Sequence, residues 1–253
     1  MKIKHLNAFT DNYIWLLELS NGIFVVDPGD AKPVLDYITA NDIDILGILL
    51  THDHNDHIGG VAELLQLFPD IPVYGTCGLA NNFVIENQQF NLTDKLNVSV
   101  IETPGHTLHG VCYLISFEEQ KHLFCGDTLF AAGCGRVFTM DFEAMFNSLN
   151  KIKSLDKNTI IYPAHEYTIK NINFALSVDH TNINLRSRLT SEMNKLDTNK
   201  ITLPTVLELE LKTNPFLRTD SKVILEQLNQ QTGLEIKPGL DCFIKLRELR
   251  NSF

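Results

Sequence analysis

Over the first two thirds of the chain, short apolar runs rich in β-formers alternate with polar breaks. "GIFVV" runs into Asp27-Pro28-Gly29, "ILGILL" into "THDHNDHIGG", "VSVI" into "ETPGHT", "HLFC" into "GDT" and "TIIY" into "PAHE". Apolar runs of this length, closed by Gly, Pro, Asp or Thr, predict strands. After "THDHNDHIGG", Val61, Leu64, Leu65 and Phe68 fall at i, i+3, i+4 and i+7, which predicts a helix directly behind that loop. Strands interleaved with helices predict an α/β sandwich. Beyond about residue 168 the texture changes. "NLRSRLTSEMNKL", "TVLELEL", "SKVILEQLNQ" and "DCFIKLRELRN" read as helices separated by Pro, Gly or Asn, with Asp220 or Ser221 as an N-cap and Gly233 as a stop. This places a boundary near residue 168 and divides the chain into an α/β domain over residues 1–167 and a small helical domain over 168–253.

Composition narrows the possible partners. The chain has 253 residues, 44% of them hydrophobic, enough for a substantial core. Its net charge of -10 argues against nucleic acid or an anionic membrane surface as a partner, since both need a basic face. Cys77, Cys112, Cys125, Cys134 and Cys242 are odd in number and never spaced C-x-x-C, which suits reduced thiols in a cytoplasm. "YIWLL" near the N-terminus is too short for a signal peptide, and no run is long enough to span a bilayer. The expectation is a soluble cytoplasmic protein that acts as a monomer.

The polar breaks carry the chemistry. "THDHNDH" offers His52, His54, Asp56 and His57 within six positions. Imidazole and carboxylate together suit zinc and its first-row neighbours, whereas calcium takes oxygen alone. On a turning loop, His52 and His54 converge on one ion while Asp56 and His57 face another. Closing two sites requires further ligands, and the later breaks supply His106, Asp127 and His165. His52, His54 and His106 then hold one ion, Asp56, His57 and His165 the other, and Asp127 bridges both. Open coordination positions mark such a pair as catalytic rather than structural. His5, His109, His122 and His180 lack comparable neighbours and read as structural, as does Cys134.

These motifs carry a resemblance. "THDHNDHIGG", "TPGHT", "CGDT" and "PAHEYT" resemble the metal-binding motifs of the metallo-β-lactamase superfamily, which implies a four-layer αββα sandwich. "DTLFAAGCGR", "HEYT", "TNPFLR" and the helical C-terminus resemble the glyoxalase II, or hydroxyacylglutathione hydrolase, family. The resemblance implies a binuclear, metal-dependent hydrolase with two divalent ions, zinc first and iron or manganese as alternatives. It implies cleavage of S-lactoylglutathione to glutathione and D-lactate by a metal-bridged hydroxide, the second step of methylglyoxal detoxification, with Asp56 orienting the attacking water. Family contacts to glutathione fall on Arg136, Phe138, Tyr167, Arg247 and Arg250. Arg247 and Arg250 are also i, i+3 neighbours on the last predicted helix, placed to grip one carboxylate. The chain departs from some family members in having arginine for lysine at 136 and 250, Phe138 for a tyrosine, and "HTLHG", where His109 precedes Gly110. A lactonase or persulfide dioxygenase on the same fold, and a non-catalytic metal-binding protein, are the competing readings.

Overall fold

The computed structural model describes residues 1–253. In chain order the elements are β1 (Lys2–Ala8), β2 (Asn12–Leu19), β3 (Gly22–Val26), α1 (Ala31–Asn41), β4 (Ile45–Leu49), α2 (Asn55–Ile58), α3 (Val61–Leu67), β5 (Val73–Gly75) and β6 (Asn82–Phe83). There follow β7 (Gln89–Thr93), β8 (Leu96–Glu102), β9 (Val111–Phe117), β10 (Gln120–Gly126), β11 (Leu129–Phe130), β12 (Gly133–Cys134), α4 (Phe142–Lys153) and β13 (Ile160–Pro163). The remainder is α5 (Thr168–Val178), α6 (Ile183–Asn199), β14 (Thr205–Val206), α7 (Leu207–Thr213), a 3-10 turn (Pro215–Leu217), α8 (Lys222–Thr232) and α9 (Leu240–Ser252).

Two six-stranded sheets stack, one ordered β1-β2-β3-β4-β5-β6 and the other β14-β13-β10-β9-β8-β7. Antiparallel hairpins form β1–β2–β3 and β7–β8–β9–β10, while β3–β4–β5–β6 and β10–β13 run parallel. Trp15, Phe24 and Leu49 from the first sheet meet Val100, Tyr113, Phe124 and Tyr162 from the second in the layer between them. The outer face of the first sheet (Leu16, Val25, Ile48) is covered by Val34 and Ile38 of α1 and Val61 and Leu64 of α3. Both faces are thus covered, which explains the unbroken apolar runs in β2 and β3, where a half-exposed strand would alternate. The fold is the four-layer αββα sandwich.

The helical C-terminus covers the outer face of the second sheet. Leu114, Leu123 and Ile161 of that sheet share one cluster with Met145 and Leu149 of α4, Phe174 of α5, Ile224 and Leu228 of α8, and Phe243 and Leu246 of α9. Strand β14 extends the same sheet through Ile161↔Thr205, so the "TV" of "TVLELEL" is strand and only the rest is helix. Ser221 occupies the N-cap of α8 without a side-chain bond, and Gly233 ends it in the left-handed region at φ 70. No helix is long and apolar enough to cross a membrane.

Candidate metal centre

The polar breaks cluster at one end of the sandwich. After β4 the chain bends at Thr51, and His52 and His54 lie on the short loop before α2, with His54 extended at φ -70 and ψ 145 as its N-cap. The single turn of α2 then redirects Asp56 and His57. The loop is held down by close backbone approach. A Cβ on Gly29, after β3, would lie 1.9 Å from the Asp56 carbonyl oxygen, and the Gly60 amide donates to the Pro28 carbonyl at 2.9 Å. His106 follows β8, Asp127 follows β10 and His165 follows β13. Gly135, in the "GCGR" loop, packs where a Cβ would meet the Asp127 carbonyl oxygen at 1.9 Å and His106 Nδ1 at 3.1 Å.

The structure brings all seven candidate ligands together. His54 Nδ1 lies 3.2 Å from His52 Nε2 and 3.0 Å from His106 Nε2. Asp56 Oδ2 lies 3.5 Å from His57 Nε2 and 3.4 Å from His165 Nε2. Asp127 sits between the trios: its Oδ1 is 3.4 Å from His57 Nε2 and 3.3 Å from His165 Nε2, and its Oδ2 is 3.5 Å from His106 Nε2. Bonds of about 2.0–2.1 Å in a tetrahedral site separate ligand atoms by roughly 3.3–3.4 Å, so these spacings fit a cation at each centre. His57 Nε2 and Asp127 Oδ1 are moreover buried without a hydrogen-bond partner, an arrangement costly unless a cation satisfies them. The residues fit two first-row ions.

The outer nitrogens of four ligand histidines are fixed from behind, which sets which ring nitrogen faces inward. His52 Nδ1 meets the Thr51 hydroxyl at 3.0 Å, His106 Nδ1 the Arg136 carbonyl at 2.8 Å, His57 Nδ1 Asp27 Oδ2 at 3.0 Å, and His165 Nδ1 Asp11 Oδ1 at 2.8 Å. Asp27, His52 and His57 also lie close enough together to suggest a third trio. Asp27 is spent elsewhere, however, since it also accepts from the Thr51 amide at 2.8 Å and the Thr51 hydroxyl at 2.6 Å. It supports His57 rather than joining a site.

By side-chain electrostatics alone, burial pushes His57 down, but Asp127 and Asp27 outweigh it and hold the imidazole well above its ordinary value. Burial likewise opposes charge on His165, yet Asp127, Asp56 and Asp11 raise it to about 10. His52 and His106 are lowered, chiefly by burial. The region around Asp56, His57 and His165 therefore favours positive charge strongly.

Five of the seven candidate ligands, His54, Asp56, His106, Asp127 and His165, line a cavity of about 630 Å³, while His52 and His57 are buried outside its lining. Arg136, Phe138, Tyr167, Arg247 and Arg250 line it, as do Lys170 and Asn171, which the sequence patterns did not single out. Arg247 donates to the Cys134 carbonyl at 2.8 Å and to Asn251 Oδ1 at 3.1 Å, and Arg250 donates to Asn171 Oδ1 at 3.1 Å. These partners are neutral, so the guanidinium charges stay available to a ligand. Burial and the neighbouring Arg247 lower Arg250. Tyr167 stacks on His165 at 4.8 Å and 6°, and burial together with Asp11 pushes its phenol up, keeping it a donor. Phe138 is 58% exposed and stands edge-on to His54 and His106. Cys134 also lines the cavity, but burial raises its thiol and its neighbour is Arg247 rather than a base. His5, His109, His122 and His180 lie outside the lining.

Comparison with known proteins adds the following. Residues 8–76 and 79–165 match the family model described as Metallo-beta-lactamase superfamily, and residues 166–253 match Hydroxyacylglutathione hydrolase C-terminus. The chain is 42% identical over 261 residues to the hydroxyacylglutathione hydrolase of Shewanella halifaxensis, covering 100% of both. It is 39% identical over 255 residues to that of a serogroup C Neisseria meningitidis, covering 100% of this chain and 99% of the relative. Among solved structures it is similar to TTHA1623 in a di-iron-bound form, with TM-score 0.59 and 26% identity, covering 86% of this chain and all of the other.

Proposed function

The chain belongs to the hydroxyacylglutathione hydrolase family of the metallo-β-lactamase superfamily, and from that premise we propose that its cavity hydrolyses the thioester of S-(2-hydroxyacyl)glutathione. S-Lactoylglutathione is the leading substrate, and glutathione and D-lactate are the products. The observation that carries this reading is one cavity lined by His54, Asp56, His106, Asp127 and His165 together with Arg136, Arg247 and Arg250.

His52, His54 and His106 would hold one ion, and Asp56, His57 and His165 the other, with Asp127 shared; zinc is our first assignment, with iron or manganese compatible with the same donors. Bound ions supply acidification of a water molecule near neutral pH and polarisation of the thioester carbonyl. The remaining work belongs to side chains. Hydrogen bonding from His165, with His57 and Asn12 adding to it, holds the Asp56 carboxyl below its usual range. Asp56 thus stays ionised, faces the cavity, and accepts a hydrogen bond from the attacking water, orienting it. Arg247 and Arg250, one helical turn apart on α9, grip the glycine carboxylate of glutathione, and Arg136 adds charge beside them. The Tyr167 hydroxyl donates to the peptide. Phe138 offers its ring face without a hydroxyl. A glutathione thiolate has a conjugate acid near pKa ~8.5 and leaves without a dedicated proton donor. We place the enzyme in the cytoplasm as a monomer, in keeping with five free cysteines and an acidic surface that suits neither nucleic acid nor membrane.

The test is turnover of S-lactoylglutathione, followed as loss of thioester absorbance, by wild type, His54→Ala and Arg247→Ala/Arg250→Ala. We expect wild-type turnover and at least about a 100-fold loss of kcat in His54→Ala, beyond the effect of removing a residue behind a ligand. In the double variant KM rises about 100-fold while kcat changes little, from lost charge-assisted hydrogen bonds of roughly 1.5–3 kcal/mol each. A metal-loaded wild type inert on this thioester sinks the substrate assignment.

A further inference from the structure

The ligands of the second ion come from different sheets. Asp56 and His57 follow β4 of the first, and His165 follows β13 of the second. Their mutual distance therefore depends on how the sheets are joined at this end. One join at this end is made by the turn between β1 and β2 with the first residues of β2. Tyr13 donates its amide to the Ala164 carbonyl at 2.7 Å, Glu166 donates its amide to the Asp11 carbonyl at 3.0 Å, and Asn12 forms an isolated antiparallel bridge with His165. Side chains repeat the connection: Asp11 Oδ1 lies 2.8 Å from His165 Nδ1, while Asn12 Nδ2 donates to Asp56 Oδ2 at 2.9 Å. Asp11 of the turn and Asn12, the first residue of β2, thus hold one candidate ligand from each sheet.

We infer that Asp11 and Asn12 are positioning residues that secure the second ion specifically. The Asp56 side chain is 41% exposed, so without the Asn12 amide its carboxylate is free to swing toward water. His57 needs no such help, being 1% exposed and anchored by Asp27. Asp11 fixes the His165 ring so that Nε2 points at Asp56 and Asp127. The first trio takes its outer support from Thr51 and the Arg136 carbonyl, and no hydrogen bond reaches it from this turn. Asn12 is itself 7% exposed, a buried amide whose Nδ2 makes its shortest contact with Asp56 Oδ2 and lies 3.5 Å from His165 Nε2.

This inference rests on the residues holding a pair of ions, not on the substrate. Wild type, Asp11→Ala, Asp11→Asn and Asn12→Ala are loaded with zinc and desalted, metal per chain is counted by mass spectrometry, and release to a chromophoric chelator is timed. The wild type keeps about two ions per chain. In Asp11→Ala and Asn12→Ala one ion leaves about 10- to 100-fold faster while the other keeps its wild-type rate. Asp11→Asn, which retains an oxygen acceptor for His165 Nδ1, falls between. Variants that hold both ions at wild-type rates overturn the inference, and so does equal loss of both ions, which marks the turn as merely structural. A wild type that retains only one ion overturns the paired-ion reading and this inference with it.

Discussion

Phe138 isolates the contribution of one hydroxyl to binding. It lines the cavity beside Arg136, whose guanidinium carbon lies 5.7 Å from the ring centroid. Phe138→Tyr adds a hydrogen-bonding group at an exposed ring edge. A net gain of about 0.5–1.5 kcal/mol should lower KM for S-lactoylglutathione by about 2- to 10-fold with kcat unchanged. An unchanged KM would show that the tripeptide does not reach this ring. At this scale the ligand histidines were legible because their types and spacing are rare and because each stands where an apolar run breaks. Asp11, Asn12 and Asp27 were not. A polar residue in a turn is usually there for the turn, and only three-dimensional contact shows that Asp11 faces a histidine 154 positions away.

Helices α6 and α7 meet the β11–β12 hairpin through buried charge. Arg188 donates to Glu210, Thr205 and Thr213, while Glu210 accepts from the Ala132 amide at 2.8 Å and from Asn214 at 3.2 Å. Asn214 in turn donates to the Phe130 and Gly133 carbonyls. Glu210 is fully buried and Arg188 is 4% exposed, so Glu210→Ala strands a guanidinium in the interior. Such a loss costs about 3–5 kcal/mol, and the urea midpoint should fall accordingly. A shift under about 1 kcal/mol would mean that Arg188 finds water or Glu192 instead. Five of the strands, β3, β4, β8, β10 and β13, were readable from their apolar runs. The hairpin was not, because two-residue strands leave no period. Helix α5 buries Thr168, Asn171, Ile172, Phe174, Ala175 and Val178 on several sides and so shows no single stripe, whereas α4 carries Met145, Leu149 and Ile152 at i, i+4 and i+7 and obeys the spacing rule.

Across the whole molecule, stability should depend on pH in a way that metal loading removes. The folded-state pKa of His165, about 10, exceeds the ordinary histidine value, and His57 is raised in the same sense. Their stabilisation of the metal-free protein is fully present below pH ~6.5 and is lost as pH rises through about 10. Melting of chelator-treated protein should therefore decline between pH ~7 and ~10, while metal-loaded protein, whose ligands have already released those protons, should show no such decline. Parallel profiles with and without metal would contradict this account. An α/β sandwich was legible from the interleaved elements and its four-layer αββα form only from the family resemblance, but the mutual burial of the second sheet and helices α8 and α9 was not, since Leu123 and Leu246 meet only in the folded chain. The arginines that line the cavity have a consequence at long range. On a molecule of net charge -10, a substrate carrying carboxylates is repelled over most of the surface and attracted at one opening. Diffusion is thereby biased toward the one productive approach, and anions approaching elsewhere are turned away before contact.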